Sequence, residues 1–259
     1  LTYAPQHPCA CYIETKLNGF NAVAGASKTP IPKCPENARL TKGPAYGKVS
    51  NPKSQIPNSK SEDWPTYRHD PARSGYGKTN VPAEVKPAWS QDIGGRLSSV
   101  VVADGKCFVA QIDAHTVHAL DAVTGMDVWT YTANGRVDSP PTIYNGCAIF
   151  GSADGYVYCV RATDGVLVWR YLAAITDRRH TGFEQIESVW PVHGSVLVRN
   201  GEVYCIAGRT IFLDGGMRFC RINAQTGKLI SETALDDRDP KTGKNFQTLM
   251  SGLNMPPGL

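Results

Sequence analysis

The sequence contains no apolar run near the roughly 18 residues that a helix needs to cross a bilayer, which leaves no candidate membrane span. It opens on Leu1-Thr2-Tyr3, without the basic start and apolar stretch of a signal peptide. There is no initiator Met, and the closing residues Asn254 to Leu259 complete no pattern, so the chain reads as a piece of a longer protein. The eight cysteines include no C-x-x-C, which excludes a zinc ribbon and a c-type haem attachment. A P-loop, a catalytic triad motif and a metal-ligand spacing are all missing. The formal net charge of +4 comes from scattered basic residues. A nucleic-acid binder concentrates that charge on one face, so no nucleic-acid partner is expected.

What is there favours short strands. Gly (25) and Pro (18) are plentiful beside many Val, Thr and Tyr, the composition of strands joined by turns. Three regions follow one another. Residues 1–24 read as strand, loop, strand, the end of a preceding repeat domain. Residues 25–62 carry six prolines with many Lys and Ser, and their apolar content is too low to offset the cost of ordering. They read as a linker, extended where ordered. Residues 63–259 open on Asp63-Trp64-Pro65-Thr66-Tyr67 and hold a strand-rich pattern to about residue 235.

That pattern repeats. Trp89, Trp129 and Trp169 stand 40 residues apart, and Arg96/Arg136, Ser99/Ser139, Cys107/Cys147 and Gly125/Gly165 keep the same step. In the second unit, 147–151 is an apolar run, Asp154-Gly155 a hairpin turn, 156–160 the returning strand, Thr163-Asp164-Gly165 a second turn and 166–171 a third strand. The next unit supplies an innermost strand. Four strands in about 40 residues describe one propeller blade, which needs neighbours to cover its faces. A third copy starts at Asn200, with Thr226-Gly227-Lys228 at the turn, Ser231 at the Trp position and a longer loop at 208–216. The expectation is an all-β fold, a β-propeller of four-stranded antiparallel blades. About three to four blades lie in this chain, an incomplete ring that other chains or further segments would close.

The turn Ala119-Leu120-Asp121-Ala122-Val123-Thr124-Gly125-Met126-Asp127-Val128-Trp129 resembles the quinoprotein repeat, and Arg161 to Trp169 is a close variant. The lead-in Asp63 to Gly75 resembles the opening of those propellers. Stretches such as Gly43-Pro44-Ala45-Tyr46, Gln111 to Asp121 and Glu187 to Ser195 are similar to PQQ-binding-like β-propeller repeat proteins. The resemblance implies that Trp89, Trp129 and Trp169 pack between blades, with the Gly125, Gly165 and Gly227 turns closing against them and Asp121 belonging to the same motif. It also implies how a quinoprotein dehydrogenase holds PQQ: a stacking Trp, an adjacent Cys-Cys disulfide and calcium. This sequence has no adjacent cysteines; Cys9-Ala10-Cys11 comes nearest. No cofactor or metal follows from the residues, so PQQ with calcium rests on resemblance alone.

The cysteines admit two readings. An even number permits disulfides in an exported protein. Cys107, Cys147, Cys159, Cys205 and Cys220 also fit strands as small buried hydrophobes. Asp113, His115 and His118 form a cluster, but strand alternation sends the two histidines to opposite faces. Arg96 and Arg136 either ring an axial funnel or bond a neighbouring blade. The best ligand-binding candidates are Arg178, Arg179, Glu187, Trp190, His193, Arg209 and Asp214, on the long diverged loops where such folds bind; a salt-bridged surface loop is the competing reading. The main expectation is a non-enzymatic scaffold or binding module from an exported, periplasmic or extracellular protein. The alternatives are a dehydrogenase whose site lies in missing blades, and a carbohydrate- or peptide-binding propeller.

Overall fold

A computed structural model describes strands 2–4 and 19–21 and residues 31–49, 63–77, 79–182, 184–239 and 241–243. Near the N-terminus β1 (Thr2–Ala4) and β2 (Gly19–Asn21) pair antiparallel. Then come a one-turn helix α1 (Glu36–Arg39) and β3 (Leu40–Lys42). Blade 1 is β4 (Val101–Ala103), β5 (Lys106–Gln111), β6 (Thr116–Asp121) and β7 (Asp127–Thr132). Blade 2 is β8 (Thr142–Tyr144), β9 (Cys147–Gly151), β10 (Tyr156–Arg161) and β11 (Leu167–Leu172). A hairpin, β12 (Arg179–Gly182) and β13 (Gln185–Ser188), precedes blade 3: β14 (Leu197–Arg199), β15 (Glu202–Ala207), β16 (Met217–Asn223) and β17 (Leu229–Leu235). Each blade is an antiparallel meander in chain order, so the quinoprotein-type propeller architecture stands, with three blades among the described residues. The short first strands β8 and β14 approach each other, which puts the first strand of each blade nearest the axis.

The 40-residue grid is a docking device. The indole Nε1–H of Trp89, Trp129 and Trp169 donates to the carbonyl of Ala122, Ala162 and Ala224, at 3.0, 3.0 and 3.1 Å. Trp129 thus hooks blade 1 to blade 2 and Trp169 hooks blade 2 to blade 3, while Trp89, ahead of β4 and outside any described strand, docks on blade 1 in the same way. Gly125, Gly165 and Gly227 lie flat on the same rings, where an added Cβ would come within 2.6, 2.7 and 2.7 Å. Their φ values of +73°, +73° and +67° also disfavour a side chain. Asp121 holds its turn by accepting the Val123 and Thr124 backbone N–H groups (3.0 and 2.8 Å) and the Thr124 hydroxyl. Asn223 repeats this in blade 3, accepting the Thr226 N–H at 2.9 Å. Ser231 stands opposite Arg221, the register that Trp169 holds opposite Cys159.

Burial follows the position of each blade. Blade 2 is covered on both sides, and every residue of β9 is buried. Phe150, Tyr158 and Val160 face blade 1, whereas Ile149, Cys159 and Trp169 face blade 3. The outer blades each keep an open face. Val128 on blade 1 and Ile206 and Ile230 on blade 3 are 42–45% exposed, on surfaces that a further blade would cover. The lead-in crosses the inner strands. Trp64 bridges Val102, Pro65 accepts the Ile143 N–H (2.7 Å), and Arg73 reaches the Ser195 hydroxyl (3.2 Å).

Within the stretch read as a linker, the described residues 31–49 form a strap along the seam of blades 2 and 3. β3 adds a fifth strand to blade 2 beside β11, and Ala45 is fully buried. Arg39 donates to the carbonyls of Leu172 (2.8 Å) and Ala173 (3.3 Å), pairs with Glu232 (2.7 Å) and lies over the Tyr171 ring. The Tyr46 hydroxyl donates to the Thr226 carbonyl (3.1 Å). Composition predicts no core of its own for this stretch; the strap borrows one from the blades.

Candidate functional site

In a four-stranded meander, the loop between the second and third strands and the loop leading to the next blade leave the same end. This brings together 133–141, 152–155, 173–196 and 208–216, which carry all seven candidate ligand residues. The hub is Glu187 at the end of β13, only 2% exposed. One carboxylate oxygen meets Arg136 Nη2 at 3.4 Å and the other pairs with Arg209. Arg136, also buried, donates to Asp138 Oδ1 (2.7 Å), and Asp138 Oδ2 meets His193 Nδ1 (2.5 Å). Arg209 also donates to His180 Nε2. The other ring nitrogen, Nδ1, meets the Thr181 carbonyl at 3.0 Å. His193, Asp138, Arg136, Glu187, Arg209 and His180 thus form one chain of contacts.

The electrostatics follow from this pairing. Burial raises the Asp138 carboxyl pKa, but the bonds from His193 and Arg136 outweigh it and hold it at about 2. Burial works against the Arg136 cation, and its bond to Asp138 overcomes that. Arg209 goes the other way, lowered by burial more than Glu187 restores. Beside the cluster lies Asp154, 1% exposed, accepting the Tyr158 hydroxyl (2.5 Å) and the Tyr156 N–H (3.0 Å). Burial pushes the Asp154 carboxyl above its ordinary value, and the Tyr158 bond opposes the shift without cancelling it.

The remaining candidates divide. Arg178 is exposed and reaches Asp214 at 3.5 Å; Arg179 pairs with Asp177 at 2.9 Å. Trp190 is 1% exposed and packs in the seam of blades 2 and 3, donating to the Asp214 carbonyl at 3.1 Å. It is a core side chain that ties two loops together, and no face of its ring is open to a ligand. The Asp113 cluster does not converge either. His115 stands in a turn with φ +60°, before β6 begins, so strand alternation does not govern it. It meets Gln185 at 2.8 Å, while His118 lies between Asp127 and Gln111. Arg96 bonds Asp113 of its own blade at 2.9 Å, whereas Arg136 turns to the hairpin, so the matched pair has two different roles.

Sequence reasoning singled out neither Asp154 nor Asp138. An Asp beside a Gly at a hairpin tip reads as a turn residue, and only the packing of 173–196 over it makes Asp154 a buried acid. Among the described residues no group of three or more His, Cys, Asp or Glu side chains converges on a metal position, and no helix is long and apolar enough to cross a membrane. The tryptophans do not fit a quinone plate. Trp129, Trp169 and Trp190 are buried, Trp89 is docked on Gly125, and Trp64 stacks edge-on against His69.

Comparison with known proteins agrees with this architecture. Quinoprotein ethanol dehydrogenase of Pseudomonas aeruginosa is 27% identical over 201 residues, 62% of this chain and 31% of that protein. Outer membrane protein assembly factor BamB of Moranella endobia is 31% identical over 126 residues, 46% of this chain and 31% of that protein. The chain therefore spans about a third of the length of these relatives. Among solved structures, quinohemoprotein alcohol dehydrogenase from Comamonas testosteroni superposes with TM-score 0.57 at 22% identity, covering 71% of this chain and 28% of the other. A europium-containing methanol dehydrogenase gives 0.56 at 17%, covering 71% and 34%. Both likenesses concern the fold. A family model described as outer membrane protein assembly factor BamB matches residues 82–253, well over half of the sequence, and the chain belongs to this family of PQQ-like propeller repeat proteins.

Proposed function

We propose that this chain is part of a non-enzymatic propeller, a scaffold or binding module within a larger exported protein. One observation carries the reading: the charged side chains at the loop end are consumed by one another. Glu187 joins Arg136 and Arg209, so three loops are locked into one rim. A reaction centre needs groups left free to act on a substrate, and here the buried charges have structural partners. On top of the locked rim, Arg178 and Ile186 are exposed on or beside the β12–β13 hairpin and Phe212 on the neighbouring loop. They offer a mixed apolar and cationic surface to a peptide or carbohydrate segment. The open faces of blades 1 and 3 call for further blades, from later residues of the same protein or from another chain. An exported location agrees with an outer membrane assembly factor among its relatives.

A quinone-dependent dehydrogenase is the second reading, favoured by the likeness to quinoprotein ethanol dehydrogenase. The residues present do not fit that cofactor, so its site would lie in blades beyond these three. The test supplies the full-length protein with PQQ and calcium and follows dye reduction with primary alcohols. We expect no rate above that of free PQQ; sustained alcohol-dependent reduction overturns the scaffold reading. In parallel, retention on peptide and oligosaccharide arrays is expected to fall in the Arg178→Glu/Ile186→Asp variant. Unchanged retention removes the rim as the binding surface.

A further inference from the structure

Blade 3 places two thiols directly opposite each other, Cys205 on β15 and Cys220 on β16. The bond from the Ala224 N–H to the Gly201 carbonyl (2.9 Å) shows which rungs of this ladder exchange backbone hydrogen bonds. Such rungs alternate, so 201/224, 203/222 and 205/220 are all of that kind. Opposite residues on them have Cα atoms about 5.5 Å apart, near the commonest separation across a disulfide; their Cβ atoms lie at the wide end of the cross-strand range, about 5.5 Å, so the two free thiols close into a bond only with a small shift of the strands toward each other. Both cysteines point into the seam with blade 2 and are buried there. The Cys220 thiol beside it, together with burial, pushes the Cys205 thiol up. Just beyond this rung the two strands part into the loop 208–216, which carries Arg209 and Asp214.

We propose that Cys205 and Cys220 are a disulfide-forming pair that closes the base of the loop bearing Arg209 and Asp214. The oxidant is a small or protein-borne disulfide of the kind present in oxidising compartments. The Cys205 thiolate attacks one sulfur of that disulfide, forming a mixed disulfide and expelling one thiolate. The Cys220 thiolate then attacks the Cys205 sulfur, closing the intramolecular bond and expelling the second thiolate. The two cysteine protons end on the two released thiols, and the two electrons leave with them. Because both thiols are buried in the finished fold, the exchange belongs to folding, before blade 3 closes on blade 2.

Blade 2 supplies an internal contrast. Cys147 and Cys159 also stand side by side, and the bond between them lowers the Cys147 thiol. Yet Cys147 lies opposite Arg161, and Cys159 opposite Ile149. Diagonal neighbours of this kind are about 7–8 Å apart, beyond the reach of an unstrained disulfide. Proximity of two sulfurs is not the criterion; the register of their Cα atoms is. The pairing requires no ligand, so it stands or falls apart from the binding role proposed for the rim, and only its effect on the Arg209 loop rests on that role.

The test refolds the full, reduced chain in a reduced and oxidised glutathione buffer, quenches exchange with acid, unfolds the chain in guanidinium to block every free thiol with iodoacetamide, and digests with trypsin. Cleavage after Arg199, Arg209, Arg218 and Arg221 releases the peptides 200–209 and 219–221. We expect them joined, two hydrogens lighter than their sum, with Cys147 and Cys159 alkylated. Oxidation with the chain held unfolded in guanidinium is expected to scatter the pairings. Alkylation of both Cys205 and Cys220 in the refolded chain, or linkage of either to another cysteine, overturns the proposal. The linked chain is expected to unfold with an equilibrium constant on the order of a hundredfold smaller than the reduced one, a shift that Cys205→Ser abolishes. A linked chain as easily unfolded as the reduced one overturns the native placement of the pair.

Discussion

Arg39→Ala removes the central fastening of the strap. Arg39 bonds two backbone carbonyls, at 2.8 and 3.3 Å, and is the nearest cation to Glu232, at 2.7 Å. Breaking a buried pair from one side costs about 3–5 kcal/mol, because the surviving charge is stranded. Two features lower that figure. Arg218 Nε stands 3.7 Å from the other Glu232 oxygen and can take over part of the pairing. A cavity of about 290 Å³, lined in part by Cys34, Glu36, Leu229 and Glu232, gives water a path to the carboxylate. The carbonyls of Leu172 and Ala173 lose a charged donor, worth about 1.5 kcal/mol or more apiece, though such terms do not add. The expected loss is about 3 kcal/mol, measured by urea unfolding. Arg39→Lys keeps the charge but loses the planar fork, so it is expected to recover less than half. Hydrogen exchange locates the effect: amides of β3, and of Gly43 and Ala45 that bond Val168 and Leu167, are expected to lose protection before those of β9. An Arg39→Ala chain within about 0.5 kcal/mol of wild type, with β3 still protected, would refute the assignment of Arg39 as the fastening.

Gly165→Ala and Gly105→Ala separate ring contact from backbone strain. Both glycines have φ near +72°, but an added Cβ meets Trp129 at 2.7 Å in the first and nothing within 4 Å in the second. Gly105→Ala is expected to cost about 1 kcal/mol and Gly165→Ala about 2–4 kcal/mol; equal losses would mean that the turn does not bear on the ring. Asp138 carries a pH signature. Its folded pKa of about 2 lies below the ordinary value, so its stabilisation is complete above about pH 4 and is lost as pH falls toward 2. Removing His193 is expected to raise the acid-unfolding midpoint, and an unmoved midpoint argues against that contact. Asp154 has the opposite sign: its raised folded pKa means stability falls as pH rises through that value. Asp154→Asn, which can still accept from Tyr158, is expected to be neutral or stabilising at pH 7 by thermal unfolding. A large loss there would show that the charge itself is needed.

The blade grid was legible because it is written in local chemistry. Trp89, Trp129 and Trp169 recur at one spacing, each blade needs a Gly where Gly125, Gly165 and Gly227 sit, and Asp121 or Asn223 caps the turn through its own backbone. These requirements act over a few residues, so one chain displays them plainly. The candidate rim was half legible. Long polar loops pointed to 174–193 and 208–216, yet only assembly shows that Glu187 is the buried hub and that Trp190 belongs to the core. Those roles depend on which loops leave the same end of neighbouring blades, and sequence spacing does not encode that.

The strap marks the same boundary. Residues 31–49 have neither periodicity nor an apolar face of their own, so no local signal announces Arg39, Ala45 or Tyr46 as seam residues. Their partners, Leu172, Glu232 and Thr226, lie more than 130 positions away. By itself the sequence determined the repeat and the blade architecture, because each is a matter of neighbours along a strand or a turn; the packing of the repeated tryptophans between blades was implied by the resemblance to the quinoprotein repeat. The tertiary structure alone decided which charges are buried against one another, which cysteines face across a rung and where the proline-rich stretch lies. Those outcomes depend on surfaces that exist only once blades stack, and their free energy comes from desolvation shared between distant segments.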